Sequence, residues 1–374
     1  MGNALKCFTG EEEGHHFHGR RDRYPYYQPQ SYSGGDPHPP AAAHQQGLAA
    51  PHGFVTFVPV TQAAGPNAGH QQRSSGVHDR RPVASKYESN TEDIDESSAE
   101  GLCSAKSYAK ANPLLIQVPV LGTTRKFWRL SDKATRITRK LALILRSHHA
   151  VGKHLATPLQ VSNVWIGSTG GSVKLRGVSF TAKGFGIERV RDDYRQLSRL
   201  LHAIIRISGG GDTAIARLPP DYREFLALLG RDTLAMEDEF LIVNNAALLP
   251  MKNRTEAFLM LHDRIVKYLG RTDRQKKRRI LSGLPYQSDW LDTARANKRI
   301  NQWVMNVQHE YKGTHQSDML RLNRNVRSHL HEHKDDDGIE EALYCEWPEL
   351  LMAMVKLLHQ EGELEATDIE NKFG

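Results

Sequence analysis

Residues 1–100 carry only three Leu or Ile side chains, Leu5, Leu48 and Ile94, and that scarcity constrains the fold more than any other feature. The same hundred residues hold 9 of the 17 prolines, 8 of the 19 histidines and 11 glycines. A segment of that composition cannot bury enough apolar surface to offset its chain entropy. It is expected to be a disordered tail, placed at 1–107, with an acidic patch at Glu92, Asp93, Asp95 and Glu96. Its one short apolar stretch, 54–60, reads as a sticky linker ahead of a docking peptide.

The 374 residues include 50 basic and 43 acidic side chains, a formal charge of +7. That sign suits an anionic partner without separating nucleic acid from an acidic membrane. Three cysteines far apart, Cys7, Cys103 and Cys345, exclude a disulfide scaffold or cysteine zinc cluster and fit a reducing compartment. No run of about 18 apolar residues predicts a spanning helix, and the N-terminus shows no apolar signal core. Gly2 after Met1 invites myristoylation and Cys7 a second acyl anchor, although Lys6 stands where Ser or Thr is usual. The expected location is cytoplasmic, with membrane-peripheral or nuclear placement as alternatives.

From about residue 108 the texture becomes that of a folded chain. Leu141–Leu145 reads as buried helix, followed by His148 and His149. Val164–Ile166 and Val173–Leu175 flank a Gly/Ser turn and predict a hairpin. Apolar spacing predicts helices over 193–206 and 221–229, then 255–269, 292–310, 316–331 and 348–360.

The order helix, Ser162-Asn163, hairpin, then Asp193 and Leu197 on a helix resembles the C-lobe of a protein kinase. Aligned that way, Gly177-Val178-Ser179 takes the place of the metal-binding Asp-Phe-Gly, and Ala156-Thr157-Pro158 that of the His-Arg-Asp. Between Asp132 and Asp192 no aspartate occurs, and Glu188 is the only acid. Phosphoryl transfer needs one carboxylate for the hydroxyl proton and another for magnesium, so kinase activity is excluded.

The segment Tyr311 to His329 carries a different chemistry. On a helix, Asn325 and His329 lie one turn apart on one face, Arg324 is adjacent, and Tyr311 can fold back over them. An imidazole, a cation, an amide and a phenol suit RNA cleavage by the RNA's own 2′-hydroxyl. That reaction needs proton transfers near neutrality and donors for a charged phosphorane, and no metal or cofactor. Lys312, Arg321 and Arg327 add positive charge, and the run 271–279, with Lys276, Lys277, Arg278 and Arg279, is a basic patch or a solvated loop. Trp303 reads as core rather than a base-stacking platform. The His329, His331, His333 string is not expected to bind metal, because on a helix the three rings point apart.

This stretch resembles the kinase-extension nuclease (KEN) domain family, whose members include ribonuclease L and the endoribonuclease sensor of the unfolded-protein response. The residues that carry it are Tyr311-Lys312-Gly313, Asp318 to Arg321, Arg324-Asn325 and His329. Phe258-Leu259 with Asp263-Arg264, Asp289-Trp290 and Trp347 to Leu351 match the flanks. Val326, Leu330 and His331 depart from the family pattern. The resemblance implies that Tyr311, Arg324, Asn325 and His329 form the catalytic set, with His329 as general acid and Tyr311 as base or base-partner.

The expected fold is mainly α. A disordered tail (1–107) leads to a truncated pseudokinase C-lobe (108–250) and an all-helical KEN ribonuclease domain (251–374). The implied partners are RNA and a second KEN protein, as homodimer or heterodimer, with peripheral membrane attachment through Gly2 and Cys7. The activity read from these residues is metal-independent cleavage of single-stranded or stem-loop RNA to a 2′,3′-cyclic phosphate. The alternative is a catalytically inactive pseudokinase–KEN scaffold that binds RNA or regulates an active partner.

Overall fold

The computed structural model describes residues 101–374 except 169, 306–309 and 330–335, with 336 and 337 described in backbone only. Residues 1–100 of the expected tail, with Gly2, Cys7 and the stretch 54–60, lie outside the described residues, as do His331 and His333. β1 (Leu102–Ser104) and the first turn of α1 (Ala105–Ala111) fall inside the span assigned to the tail. Ala105 is fully buried in the main core and β1 pairs with β5, so the folded part includes 102–107, a correction to the expected boundary.

The described chain is mostly helical with short antiparallel strands. A hairpin of β2 (Leu115–Pro119) and β3 (Lys126–Leu130) pairs Leu115 with Leu130 and precedes α2 (Asp132–His149). The Ser131 hydroxyl caps α2 by accepting the Ala134 N–H at 3.3 Å, and Ile137, Leu141 and Leu145 form its buried stripe. Next come β4 (His154–Leu155), β5 (Val164–Gly167), β6 (Val173–Leu175) and β7 (Phe180–Thr181). The expected hairpin is β5–β6, and β1 adds to its free edge in the order β1-β5-β6. β4 pairs with β7.

α3 (Ile187–Gly209) buries Val190, Tyr194, Leu197, Leu201 and Ile204, and ends at Gly210, whose φ of 77° satisfies the left-handed cap. α4 (Asp212–Ala216), α5 (Pro220–Leu229) and α6 (Asp238–Val243) complete this half. α7 (Arg254–His262) continues through a π-helical turn over Asp263–Tyr268 into α8 (Leu269–Thr272). The basic run is a helix, α9 (Arg274–Gly283), because the Asp273 carboxylate caps it by accepting the Gln275 and Lys276 N–H groups.

The helix expected over 292–310 is divided into α10 (Trp290–Ala296) and α11 (Lys298–Met305). Asn297 makes the break. Its Oδ1 accepts the Arg299 and Ile300 N–H groups at 3.0 and 3.1 Å, capping a new helix rather than continuing the old one. α12 (Gln316–Ser328), α13 (Asp336–Glu346) and α14 (Leu350–Gln360) close the chain.

All described residues belong to one compact unit. Buried Asp221 of α5 accepts from Arg254 at 3.2 Å and from the Tyr344 hydroxyl at 2.9 Å. Lys356 and His359 of α14 pair with Glu224 and Asp238 at 2.7 and 3.0 Å. The C-terminal helices are therefore seated on α5 and α6 through buried and half-buried charge pairs.

Candidate active site

Asp318 sets the entry to α12. Its carboxylate accepts the Lys312 N–H at 2.8 Å, which folds the Tyr-Lys-Gly turn back onto the helix that follows. Tyr311 then lies edge-on to Trp290, with centroids 6.2 Å apart and planes at 86°, while the Arg321 guanidinium covers its ring at 4.5 Å. The ring is 3% exposed.

Three of the four expected catalytic residues form one hydrogen-bonded line. Arg324 donates to Asn325 Oδ1 at 3.3 Å, and Asn325 Nδ2 donates to the Tyr311 hydroxyl oxygen at 3.1 Å. Burial raises the Tyr311 pKa above its ordinary value, more than the Asn325 donor and the Arg321 charge lower it. The phenol thus keeps its proton at neutral pH and has that proton to donate. His329 caps the C-terminus of α12, one turn beyond Asn325, and its ring lies 6.0 Å from that of Trp303. Trp303 is half-buried against the main core, as its spacing implied, and also flanks the imidazole.

The cations assigned to RNA divide into different roles. Arg327 turns into the core. It is buried, makes a two-pronged pair with Glu340 at 2.7 and 2.9 Å, donates to Asn323 Oδ1 at 2.8 Å, and covers Phe258 at 4.1 Å. Its place on the buried face of α12 corrects the expectation that it contacts RNA. Arg321 holds the turn, reaching the Glu310 carbonyl at 3.2 Å and Asp318 at 3.4 Å as well as the Tyr311 ring, so it too is a structural cation. Lys312 is exposed. On α9, Lys276 pairs with Glu363 at 2.6 Å and Arg279 with Glu361 at 2.8 and 2.7 Å. Lys277 approaches the Val266 carbonyl at 3.4 Å, and Arg278 is exposed.

His262 is a second histidine at this end of the molecule that the spacing argument missed. It stacks on Phe258 with centroids 6.2 Å apart, and its Nδ1 meets Asp263 at 3.2 Å. Burial lowers its pKa, Asp263 opposes this, and the charges of Arg324 and Lys267 add to the lowering. Its signal in the sequence was the carboxylate directly after it, beside the quoted Asp263-Arg264.

In the half of the chain before α7, segments 156–158 and 177–179 lie side by side. The Ala156 N–H donates to the Ser179 carbonyl at 2.8 Å, and the Ser179 N–H to Thr157 Oγ1 at 3.1 Å. Asp193 accepts the Leu155 N–H at 2.9 Å. Pro158 and Gly177, the residues that the resemblance aligns with the two aspartates of phosphoryl transfer, carry no carboxylate, and Glu188 is exposed and paired with Arg191.

A separate cavity of about 620 Å³ opens between the tip of the β2–β3 hairpin and the α10–α11 junction, lined by Thr123, Arg125, Asn297, Lys298 and Glu346 among others. It contains none of the four α12-region residues. Among the described residues no group of three or more His, Cys, Asp or Glu is arranged to hold a metal, and no helix is long and apolar enough to cross a membrane. No protein-family model matches this chain, and no curated protein matches it either.

Proposed function

We propose that this chain is a metal-independent endoribonuclease of KEN type, following a pseudokinase C-lobe that performs no phosphoryl transfer. The observation that carries the reading is the Arg324–Asn325–Tyr311 line, with His329 one helical turn beyond it. In the reaction the RNA 2′-oxygen attacks the adjacent phosphorus and the 5′-oxygen leaves, giving a 2′,3′-cyclic phosphate and a 5′-hydroxyl. His329 donates the proton that the departing 5′-oxygen takes up. Arg324 offsets the charge of the phosphorane, and Asn325 fixes the Tyr311 hydroxyl so that its proton points to a phosphoryl oxygen. Tyr311 is a donor rather than the base. The 2′-proton is lost to solvent.

By the same resemblance the active form is a pair of copies, so cleavage rises more steeply than in proportion to protein concentration. The test is incubation of the full chain with labelled stem-loop RNA in EDTA over a concentration series, followed by analysis of the 3′ ends. Cyclic phosphate ends are expected; 3′-hydroxyl ends would contradict the mechanism. A second reading, the inactive scaffold, is favoured by the burial of Tyr311, which is 3% exposed and offers a substrate little surface. Under that reading the chain binds RNA or an active KEN partner and leaves RNA intact at every concentration.

A further inference from the structure

α9 has two unlike edges. On the inner edge Lys276 and Arg279 are matched by Glu363 and Glu361, and Arg264 shares Glu363 at 2.5 Å. On the outer edge Arg271, Arg274 and Arg278 are exposed, and none of them meets a carboxylate among the described residues. Arg274 and Arg278 are one turn apart on α9, and Arg271 lies in the last turn of α8 before it. One turn before Arg271 stands Tyr268, 47% exposed, with the Arg264 guanidinium 3.9 Å from its ring centre. A large aromatic side chain left in water beside unmatched arginines is the combination that single-stranded nucleic acid uses, bases on rings and phosphates on cations. The stripe also leads back to the candidate active site. Lys267, one turn before Arg271, pairs with Asp263 at 2.7 Å, and Asp263 meets the His262 ring at 3.2 Å.

We propose that Tyr268, Arg271, Arg274 and Arg278 form a binding site for the single-stranded RNA flanking the cleavage point, with a base on Tyr268 and consecutive phosphates on the arginines. Its placement relative to the scissile bond rests on the nuclease reading, whereas RNA binding by the stripe does not. The experiment measures binding of a labelled single-stranded RNA to the full-length His329→Ala chain across a salt series, so that cleavage does not intrude. R271Q/R274Q/R278Q is expected to lower the slope of log K against log salt by about 2, at roughly 0.7 per phosphate on a single strand. Tyr268→Ala is expected to weaken binding about tenfold or more at unchanged slope, with Tyr268→Phe close to the parent. A control triple of exposed cations on other helices, K110Q/R199Q/R223Q, leaves the slope unchanged.

An unaltered slope in the first triple, or an equal fall in the control, overturns the proposal. So does a parent chain that ignores RNA but binds phosphatidylserine vesicles through the same arginines. Should the unmutated chain bind RNA through this stripe without ever cutting it, the nuclease reading falls and this proposal stands.

Discussion

The Tyr311 phenol is pushed by burial toward its neutral form, while the Asn325 amide aims a donor at its oxygen. A phenol in that setting gives a proton to an anion more readily than it takes one from a hydroxyl. Tyr311→Phe is therefore expected to lower kcat about 100- to 1000-fold, the effect of deleting one transition-state donor. The pH–rate profile should keep its shape between pH 7 and 9, because the phenol does not titrate there. A variant that loses its alkaline limb would instead identify Tyr311 as the base. Arg324 and Arg327 stand three residues apart on the same helix and part company completely. Arg324 faces the phenol line, whereas Arg327 is sealed against Glu340 and Phe258. Removing Arg327 leaves the Glu340 carboxylate buried without its partner. Arg327→Met is expected to cost about 3–5 kcal/mol of stability, read from denaturant unfolding, with RNA affinity unchanged for the chain that remains folded.

Between elements, the hairpin tip and the α10–α11 junction hold each other in place. Gly122 has φ of 85°, and a Cβ there would come 2.1 Å from Asn297 Oδ1, the atom that caps α11. The Lys298 N–H also donates to the Gly122 carbonyl at 3.0 Å. Gly122→Ala is expected to destabilise the fold by about 1–3 kcal/mol, because it strains the backbone and displaces the cap together. A melting temperature equal to that of the parent would show that the contact is dispensable. α12 and the β5–β6 hairpin were legible because apolar period and turn residues agreed there. The α10–α11 break was not, since Asn297 interrupts an apolar period that runs on through Ile300 and Val304. α13 was hidden behind the charged run 331–337, although Ile339, Ala342 and Leu343 carry its buried face. At the candidate site, spacing was enough to expect that Tyr311 folds back to Asn325. It could not show that Arg327 faces inward or that Lys276 and Arg279 are matched, because Glu340, Glu363 and Glu361 are distant in sequence.

Across the whole molecule, buried charge joins elements far apart in the chain. His149 at the end of α2 is held between Asp193 of α3 at 3.0 Å and Glu239 of α6 at 2.5 Å, and the Tyr194 hydroxyl donates to Glu239 at 2.7 Å. Burial alone would lower the His149 pKa, but the hydrogen bonds and charges of the two carboxylates outweigh it and raise the value above 6.5. A pKa raised on folding stabilises fully below the unfolded value and ceases to do so as pH rises through the folded value. The denaturant midpoint is therefore expected to fall as pH rises from 6.5 through that higher value, and His149→Gln should flatten the change. An unchanged midpoint over that range would remove His149 from the account of stability. The proposed chemistry is RNA cleavage without metal by the residues gathered at α12. The most direct measurement is cleavage of a labelled stem-loop RNA by the full chain in EDTA, beside His329→Ala at the same concentrations. Cyclic phosphate ends are expected, with rates that climb with pairing and a loss of about 10²- to 10⁴-fold in the variant with its fold intact. Intact RNA at every concentration, or equal cleavage by the variant, would contradict it.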